Sequence, residues 1–137
     1  MTQSAQQQPM LTGIKVLDFT QYLAGPTATR LMAELGAEVI KVEQAKGGDP
    51  SRALPFLKDG RSLYFIQQNR GKKSFCVDFS KPEGVELVRA LIPQVDVVIE
   101  NYGPCVMDKR GLDYNSLKQI NPRLIMCSVS AFCRKSP

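Results

Sequence analysis

The chain has 137 residues, 43% apolar and 23% charged, which is the size of one ordinary domain with enough apolar content for a packed core and excludes disorder, collagen and coiled coil as overall descriptions. Its net charge of +5 suits an anionic ligand, but the basic residues are scattered, and their one tight cluster (Arg70, Lys72, Lys73) lacks the interleaved aromatics of a single-strand groove, so no nucleic acid is expected. No apolar run approaches the roughly 18 residues of a membrane span, and residues 1–10 form a polar, disordered, Gln-rich leader without a signal peptide's apolar stretch, so the reading is a cytoplasmic protein with one domain over residues 11–137.

Residues 15–19 (KVLDF) read as a first strand. Pro26 then opens a short helix in which Ala28, Leu31, Met32 and Leu35 recur at helical spacing, and Gly36 stops it. Residues 38–43 (EVIKVE) alternate apolar and charged and read as a second strand, with Glu43 as a solvated strand end. Residues 44–59, with two glycines and two prolines and no period, read as one long loop. A brief helix follows over residues 62–69, with Leu63, Phe65 and Ile66 inward. Residues 74–79 (SFCVDF) are a third strand. Ser80 as N-cap, Pro82 in the first turn and Glu83 at the capping-box position then open a helix that buries Val85, Leu87, Val88, Leu91 and Ile92. Residues 95–100 (VDVVIE) form a nearly continuous apolar run, as expected of a central parallel strand. Two helical pieces, residues 106–110 and 114–120, precede a fifth strand over residues 124–130. Strand and helix alternate throughout, which predicts an α/β fold: an open, mostly parallel Rossmann-like sheet of about five strands with helices on both faces.

The chain has no histidine, so no Ser-His or Cys-His pair and no imidazole ligand can be built. Its four cysteines show no C-x-x-C spacing, and no metal site is expected. Cys76 and Cys127, inside strand-like runs, read as small buried hydrophobes in a reducing compartment. Ligands of open α/β sheets bind beyond the carboxyl ends of the strands, where strand order reverses. That rule selects the loops after each strand. The first of them (TQYLAGP) has a single glycine and lacks the G-x-G-x-x-G pattern, which argues against a dinucleotide.

The segments LTGIKVLDFTQYLAGPTATRLMAELGAEVIKVE, GGDPSR, SLYFIQQNRGKKSFCVDFSKPEG and DVVIENYGPCVMDKRGLDYNSLKQINPRLIMCSVSAF resemble, in order, the start of the family III CoA-transferases. That group includes formyl-CoA transferase, carnitine CoA-transferases and alpha-methylacyl-CoA racemase. The resemblance covers residues 11 to 132. It implies a Rossmann-like domain whose ligand is coenzyme A or an acyl-CoA, within a longer chain that forms interlocked homodimers. Carried over by position, the CoA contacts are Gln21, Tyr22, Leu23 and Ala24 after the first strand, Gln44 after the second, Val77 and Ser80 around the third, and Asn101, Tyr102 and Lys109 around the fourth. Four depart from the family's usual types: Gln21 stands for the histidine of formyl-CoA transferase, Gln44 for a basic residue that reaches a phosphate, Ser80 for a lysine and Lys109 for an arginine. A lost charge-assisted phosphate contact is worth about 1.5–3 kcal/mol, for which Lys41, Lys46, Arg70, Lys72 and Lys73 are candidate replacements. Read without the family, Lys72 and Lys73 are a solvated turn, Asn101 a strand cap and Tyr102 half-buried core.

The resemblance also implies the chemistry: an aspartate attacks an acyl-CoA thioester to give a mixed anhydride, and CoA moves between that thioester and a carboxylic acid. Its expected place follows SVSAF, past Pro137, so the chain is expected to be an N-terminal CoA-binding portion, truncated before that aspartate and inactive alone, with no catalytic residue of its own. Cys133 stands where the family has glycine and has no histidine to activate it, so it is not assigned as a nucleophile. The NRGKKSFCVDF and GGDPSR segments look like the transferase pattern rather than the racemase's. The alternatives are a non-catalytic CoA-binding or interaction protein of the same descent, and a racemase fragment. An uncovered sheet edge after the fifth strand predicts association.

Overall fold

The computed structural model describes residues 8–131; residues 1–7 of the polar leader, Phe132 and Cys133 lie outside that span. In chain order the elements are β1 (Lys15–Asp18), α1 (Ala24–Glu34), β2 (Glu38–Glu43), a 3-10 turn (Pro50–Ala53), β3 (Leu57–Lys58), β4 (Arg61–Ser62), α2 (Leu63–Asn69), β5 (Lys73–Cys76), α3 (Pro82–Leu91), a second 3-10 turn (Ile92–Gln94), β6 (Val97–Glu100), a third (Asp108–Arg110), α4 (Tyr114–Ile120) and β7 (Ile125–Ser128). Five strands form one sheet in the order β5-β2-β1-β6-β7, every pair parallel. This is the Rossmann-like arrangement expected from the alternation of strand and helix. The order reverses between β1 and β6, so the ligand position of an open α/β sheet falls at their carboxyl ends.

Period-2 alternation gives the sheet two different faces. Leu17, Phe19, Val42 and Val98 point to the α3 side, where Phe79, Val88, Ile92, Met107, Leu112 and Leu117 complete a continuous core. Val16, Val39 and Ile99 point the other way and pack with Met32 and Ala33 at the C-terminal part of α1 and with Ala37 just beyond it. On this second face the same strands become charged toward their carboxyl ends: Asp18, Lys41 and Glu43 are all buried.

Several expectations are corrected. Residues 44–59 are not one featureless loop. Asp49 caps a 3-10 turn through its side chain, and β3 pairs with β4 in a hairpin whose turn residues Asp59 and Gly60 both have positive φ, the two-residue type I′ geometry that Asp-Gly favours. In α1 the buried residues are Gly25, Pro26 and Thr29, while Leu31 and Leu35 are exposed. In α2 the buried residues are Gln68 and Asn69, and Leu63 and Ile66 are exposed. The N-cap of α3 is Lys81 rather than Ser80, without a side-chain cap bond, because Asp78 Oδ1 accepts the Ser80 N–H and hydroxyl instead. Leu87 faces solvent. The piece expected over residues 106–110 is helical only as the 3-10 turn Asp108–Arg110. Cys76 and Cys127 are exposed, not buried, since both lie on the outermost strands β5 and β7. Of the leader, Pro9 lies against Gly36, and the neighbouring Leu11 N–H donates to Leu35 O over 2.9 Å.

Candidate functional site at the strand-order reversal

The loop after β1 is held to the loop after β6 by a reciprocal pair of hydrogen bonds. The Gln21 N–H donates to Asn101 Oδ1 (2.8 Å), and Asn101 Nδ2 donates to Gln21 O (2.9 Å). Gln21 Nε2 also donates to the Tyr102 hydroxyl (3.3 Å), and the Tyr102 N–H donates to Glu100 Oε2 (2.8 Å). Asn101 thus acts as a cross-link between the two strands that diverge at the switch point. Burial pushes the Tyr102 phenol up to about 12, against the pull of Arg110, so it is a neutral hydroxyl at physiological pH. Tyr22, Leu23 and Ala24 are exposed at the mouth of this loop, and Tyr22 has φ 65°, a left-handed conformation that costs a non-glycine residue about 1–3 kcal/mol and persists only where the surroundings impose it.

The Tyr102 ring meets Phe79 edge-on at 6.0 Å, which joins this loop to the segment after β5. There the Val77 N–H donates to Glu43 O (2.9 Å), and the Val77 side chain belongs to the core. Ser80 is shared by two open clefts. One, of about 350 Å3, is lined by Gln44, Lys46, Asp78 and Ser80. The other, of about 300 Å3, lies between the start of α3 and the 3-10 turn after β6, with Lys81, Lys109 and Arg110 among its walls. Hydrogen bonds from Ser80 hold the Asp78 carboxyl below its usual range. The sequence-predicted residues therefore fall into a linked arc: Gln21, Asn101 and Tyr102 bond directly, and Gln44, Ser80 and Lys109 line adjoining clefts. A roomier cavity of about 500 Å3, between Arg52, Arg61 and Phe65, contains none of them.

Sequence reasoning missed a set of buried ion pairs beneath the first loop. Asp18, fully buried, accepts from the Thr20 N–H (2.9 Å), the Thr20 hydroxyl, the Thr29 hydroxyl (2.7 Å) and Lys72 Nζ (3.0 Å). Lys72 Nζ also donates to Pro26 O and Asn69 Oδ1. Lys41 Nζ lies 2.8 Å from Asp49 Oδ2 and donates to Thr20 O (2.7 Å). Arg52 makes a two-pronged contact with Glu43 (2.9 and 2.7 Å). Lys72 and Glu43 are thus neither a solvated turn nor a solvated strand end. Of the proposed replacement cations, Lys41 and Lys72 are committed to these buried pairs, while Arg70 and Lys73 reach Glu34 and Glu38 at the surface. Lys46 stands in the Gln44 cleft. Burial pushes the Glu43 and Asp49 carboxyls up, but bonds from Arg52 and Ser74 to Glu43, and from Lys41 and Ser51 to Asp49, outweigh it and leave both below their ordinary values. Burial lowers the Lys72 ammonium against the opposing pull of Asp18. The signal available in the sequence was opposite charge: Lys41 and Glu43 on one face of β2 match Asp49 and Arg52 of GGDPSR.

Among the described residues no cluster of three or more His, Cys, Asp or Glu side chains could hold a metal ion, and no helix is long and apolar enough to cross a membrane.

A family model described as CoA-transferase family III matches residues 11–137. The chain belongs to CoA-transferase family III. It is 45% identical to a succinate–glutarate CoA-transferase of Agrobacterium fabrum, over all of this chain and 36% of that one. It is 43% identical to a formyl-CoA:oxalate CoA-transferase of Bradyrhizobium diazoefficiens, over 89% of this chain and 29% of that one. A CAIB/BAIF family protein from Brucella suis superposes with a TM-score of 0.87 at 46% identity, covering 96% of this chain and 36% of the other. A Mycobacterium tuberculosis protein in an orthorhombic crystal form does so with a TM-score of 0.87 at 40% identity, covering 94% of this chain and 36% of the other. This family III chain therefore spans about a third of the length of the relatives it matches.

Proposed function

We propose that this family III chain is the CoA-binding portion of a CoA-transferase, which moves CoA between an acyl-CoA thioester and a carboxylic acid. The observation that carries the reading is the Gln21–Asn101 cross-link at the β1–β6 reversal, adjoining two clefts edged by Lys46, Lys81, Lys109 and Arg110. Cations at a cleft rim suit phosphate groups, and the exposed Tyr22, Leu23 and Ala24 offer an uncharged surface for the rest of the ligand. The two curated relatives described above are both named as transferases, which supports transfer over racemisation. In the transfer chemistry an aspartate carboxylate attacks the thioester carbonyl, the CoA thiolate leaves, and a mixed anhydride forms. The part of this chain in that scheme is to bind CoA.

The test is calorimetric titration of the folded chain with CoA and with dephospho-CoA, repeated with Lys109→Ala. Micromolar CoA binding, weakened by loss of the 3′-phosphate and by the substitution, is expected. Absence of binding by a chain shown folded by circular dichroism refutes the reading.

Two further parts of the proposal concern setting. Free, exposed Cys76, Cys105 and Cys127 support a reducing, cytoplasmic setting. The outer strand β7, with Ile125 62% exposed, supports homodimer formation through uncovered apolar surface, which sedimentation reads directly.

A further inference from the structure

The conformation of the β1–α1 loop has an identifiable cause in side chains buried beneath it. Tyr22 holds a positive φ with its N–H directed at Asp49 Oδ1 (3.4 Å), and the preceding Thr20 O accepts from Lys41 Nζ (2.7 Å). Lys41 and Asp49 pair with each other at 2.8 Å, their side chains 3% and 1% exposed. Asp49 is itself fixed by the Ser51 N–H (2.9 Å) and hydroxyl (2.7 Å), and Lys41 by its place in β2 between two neighbouring strands. We propose that Lys41 and Asp49 together are positioning residues for the β1–α1 loop, holding its backbone in the one conformation that receives CoA. The inference rests on reading that loop as part of the CoA site.

A left-handed non-glycine residue persists only where its surroundings over-determine it, and the Lys41–Asp49 pair is the buried element that grips the loop on either side of Gln21. It acts in parallel with Asn101, which grips Gln21 itself. The pair also sets what the loop offers a ligand. With a carboxylate facing the Tyr22 N–H and the Asn101 amide oxygen on the Gln21 N–H, neither amide is open to a phosphate, unlike the free N–H groups of a glycine-rich phosphate loop. The loop therefore presents shape and side chains, and the phosphates fall to the cationic clefts.

The test compares the parent chain with Lys41→Met/Asp49→Leu and with Asp49→Asn. Replacing both members of a buried ion pair with apolar groups of similar volume is often neutral for stability, so the double variant removes both grips without stranding a charge. Two readouts are taken: hydrogen exchange of the Tyr22 amide, and the CoA dissociation constant. The double variant is expected to melt below the parent, since Asp49→Leu also leaves the buried Ser51 N–H and hydroxyl without their acceptor, to exchange the Tyr22 amide about tenfold faster, and to bind CoA about tenfold more weakly, a difference of about 1.4 kcal/mol. Asp49→Asn, which keeps an acceptor for Tyr22 and drops the charge pair, is expected to fall between the two on both measures. If the double variant does not fold, Lys41→Met/Asp49→Asn, which strands no charge and keeps an acceptor for the Ser51 N–H, decides. Unchanged Tyr22 exchange in a folded variant overturns the proposal, as does unchanged CoA affinity when the parent binds CoA. A parent that binds no CoA overturns the reading of the site alone, and the exchange measurement still decides whether the pair holds the loop.

Discussion

Gly84, in the first turn of α3, lies against the backbone of the segment between β5 and that helix. A Cβ built there would sit 2.0 Å from Asp78 O, 2.6 Å from Asp78 C and 3.0 Å from Phe79 N. All three are backbone atoms, so no side-chain rotation relieves the clash, and α3 must lift away from residues 78–79. Gly84→Ala would otherwise be favourable, since alanine gains at most about 1 kcal/mol over glycine in a helix. Overpacking by a single carbon in a tight interior costs about 1–3 kcal/mol, and a rigid backbone obstacle belongs at the upper end. The expected net loss is about 1–2 kcal/mol, or roughly 4–8 °C in melting temperature at about 4 °C per kcal/mol for a chain of this size. Because Asp78 and Ser80 line the clefts beside α3, the same variant should also weaken CoA binding. The assay is urea denaturation followed by circular dichroism, with Gly103→Ala as the control, since a Cβ at Gly103 meets nothing within 4 Å. A Gly84→Ala protein as stable as the parent would refute the argument that close backbone approach, not turn geometry, requires this glycine.

Adjacent lysines should behave in opposite ways. Lys72→Met strands the buried Asp18 carboxylate and should cost about 3–5 kcal/mol, whereas Lys73→Met, whose side chain is 69% exposed in its pair with Glu38, should change stability by less than about 1 kcal/mol; equal effects in urea melts would contradict the burial assigned here. The folded-state values of Glu43 and Asp49 lie below their ordinary 4.5 and 3.8, so each contributes stability that is present above its unfolded value and is lost as pH falls through its folded one. Urea midpoints should accordingly drop in acid below about pH 4, and Glu43→Gln should flatten that limb. Asn101→Ala removes both partners of the Gln21 backbone and should cost about 1–3 kcal/mol, with a matching loss of CoA affinity by calorimetry; undiminished affinity would show that the cross-link is not needed for binding.

Elements whose bounds follow from local chemistry were legible in the sequence. Residues 38–43 and 114–120 form β2 and α4 at the expected bounds, the latter fixed by Asp113, whose side chain accepts the Ser116 N–H. The expected buried face is the observed one in α3, apart from the exposed Leu87, and differs in α1 and α2. Leu31 and Leu35 obey a helical period, yet α1 turns Gly25, Pro26 and Thr29 inward because Thr29 bonds Asp18 and Gly25 sits against Thr20, contacts that a hydrophobic stripe does not encode. Glu43 reads as a solvated strand end because alternation does not say how many neighbours a strand has. With β1 on one side and β5 on the other, Lys41 and Glu43 are buried and are balanced by Asp49 and Arg52 from the next loop. The Asp59-Gly60 hairpin carried a strong turn signal in plain view, masked by treating residues 44–59 as a single unit. Among the predicted contacts, Gln21, Asn101 and Tyr102 were reachable from the strand ends. Their coupling to Asp49 and Lys41 depends on a long-range register that no local pattern reveals.

The exposed cysteines of the two outermost strands also make the sheet a measuring device. Cys76 ends β5 and Cys127 lies in β7, with β2, β1 and β6 between them, so the two thiols are four interstrand spacings apart, about 19 Å at roughly 4.8 Å each. That span crosses the β1–β6 seam. A pair of spin labels at these positions, with Cys105 and Cys133 replaced by serine, would read the width of the seam in solution and report whether the sheet spreads or stays rigid when a ligand settles above it.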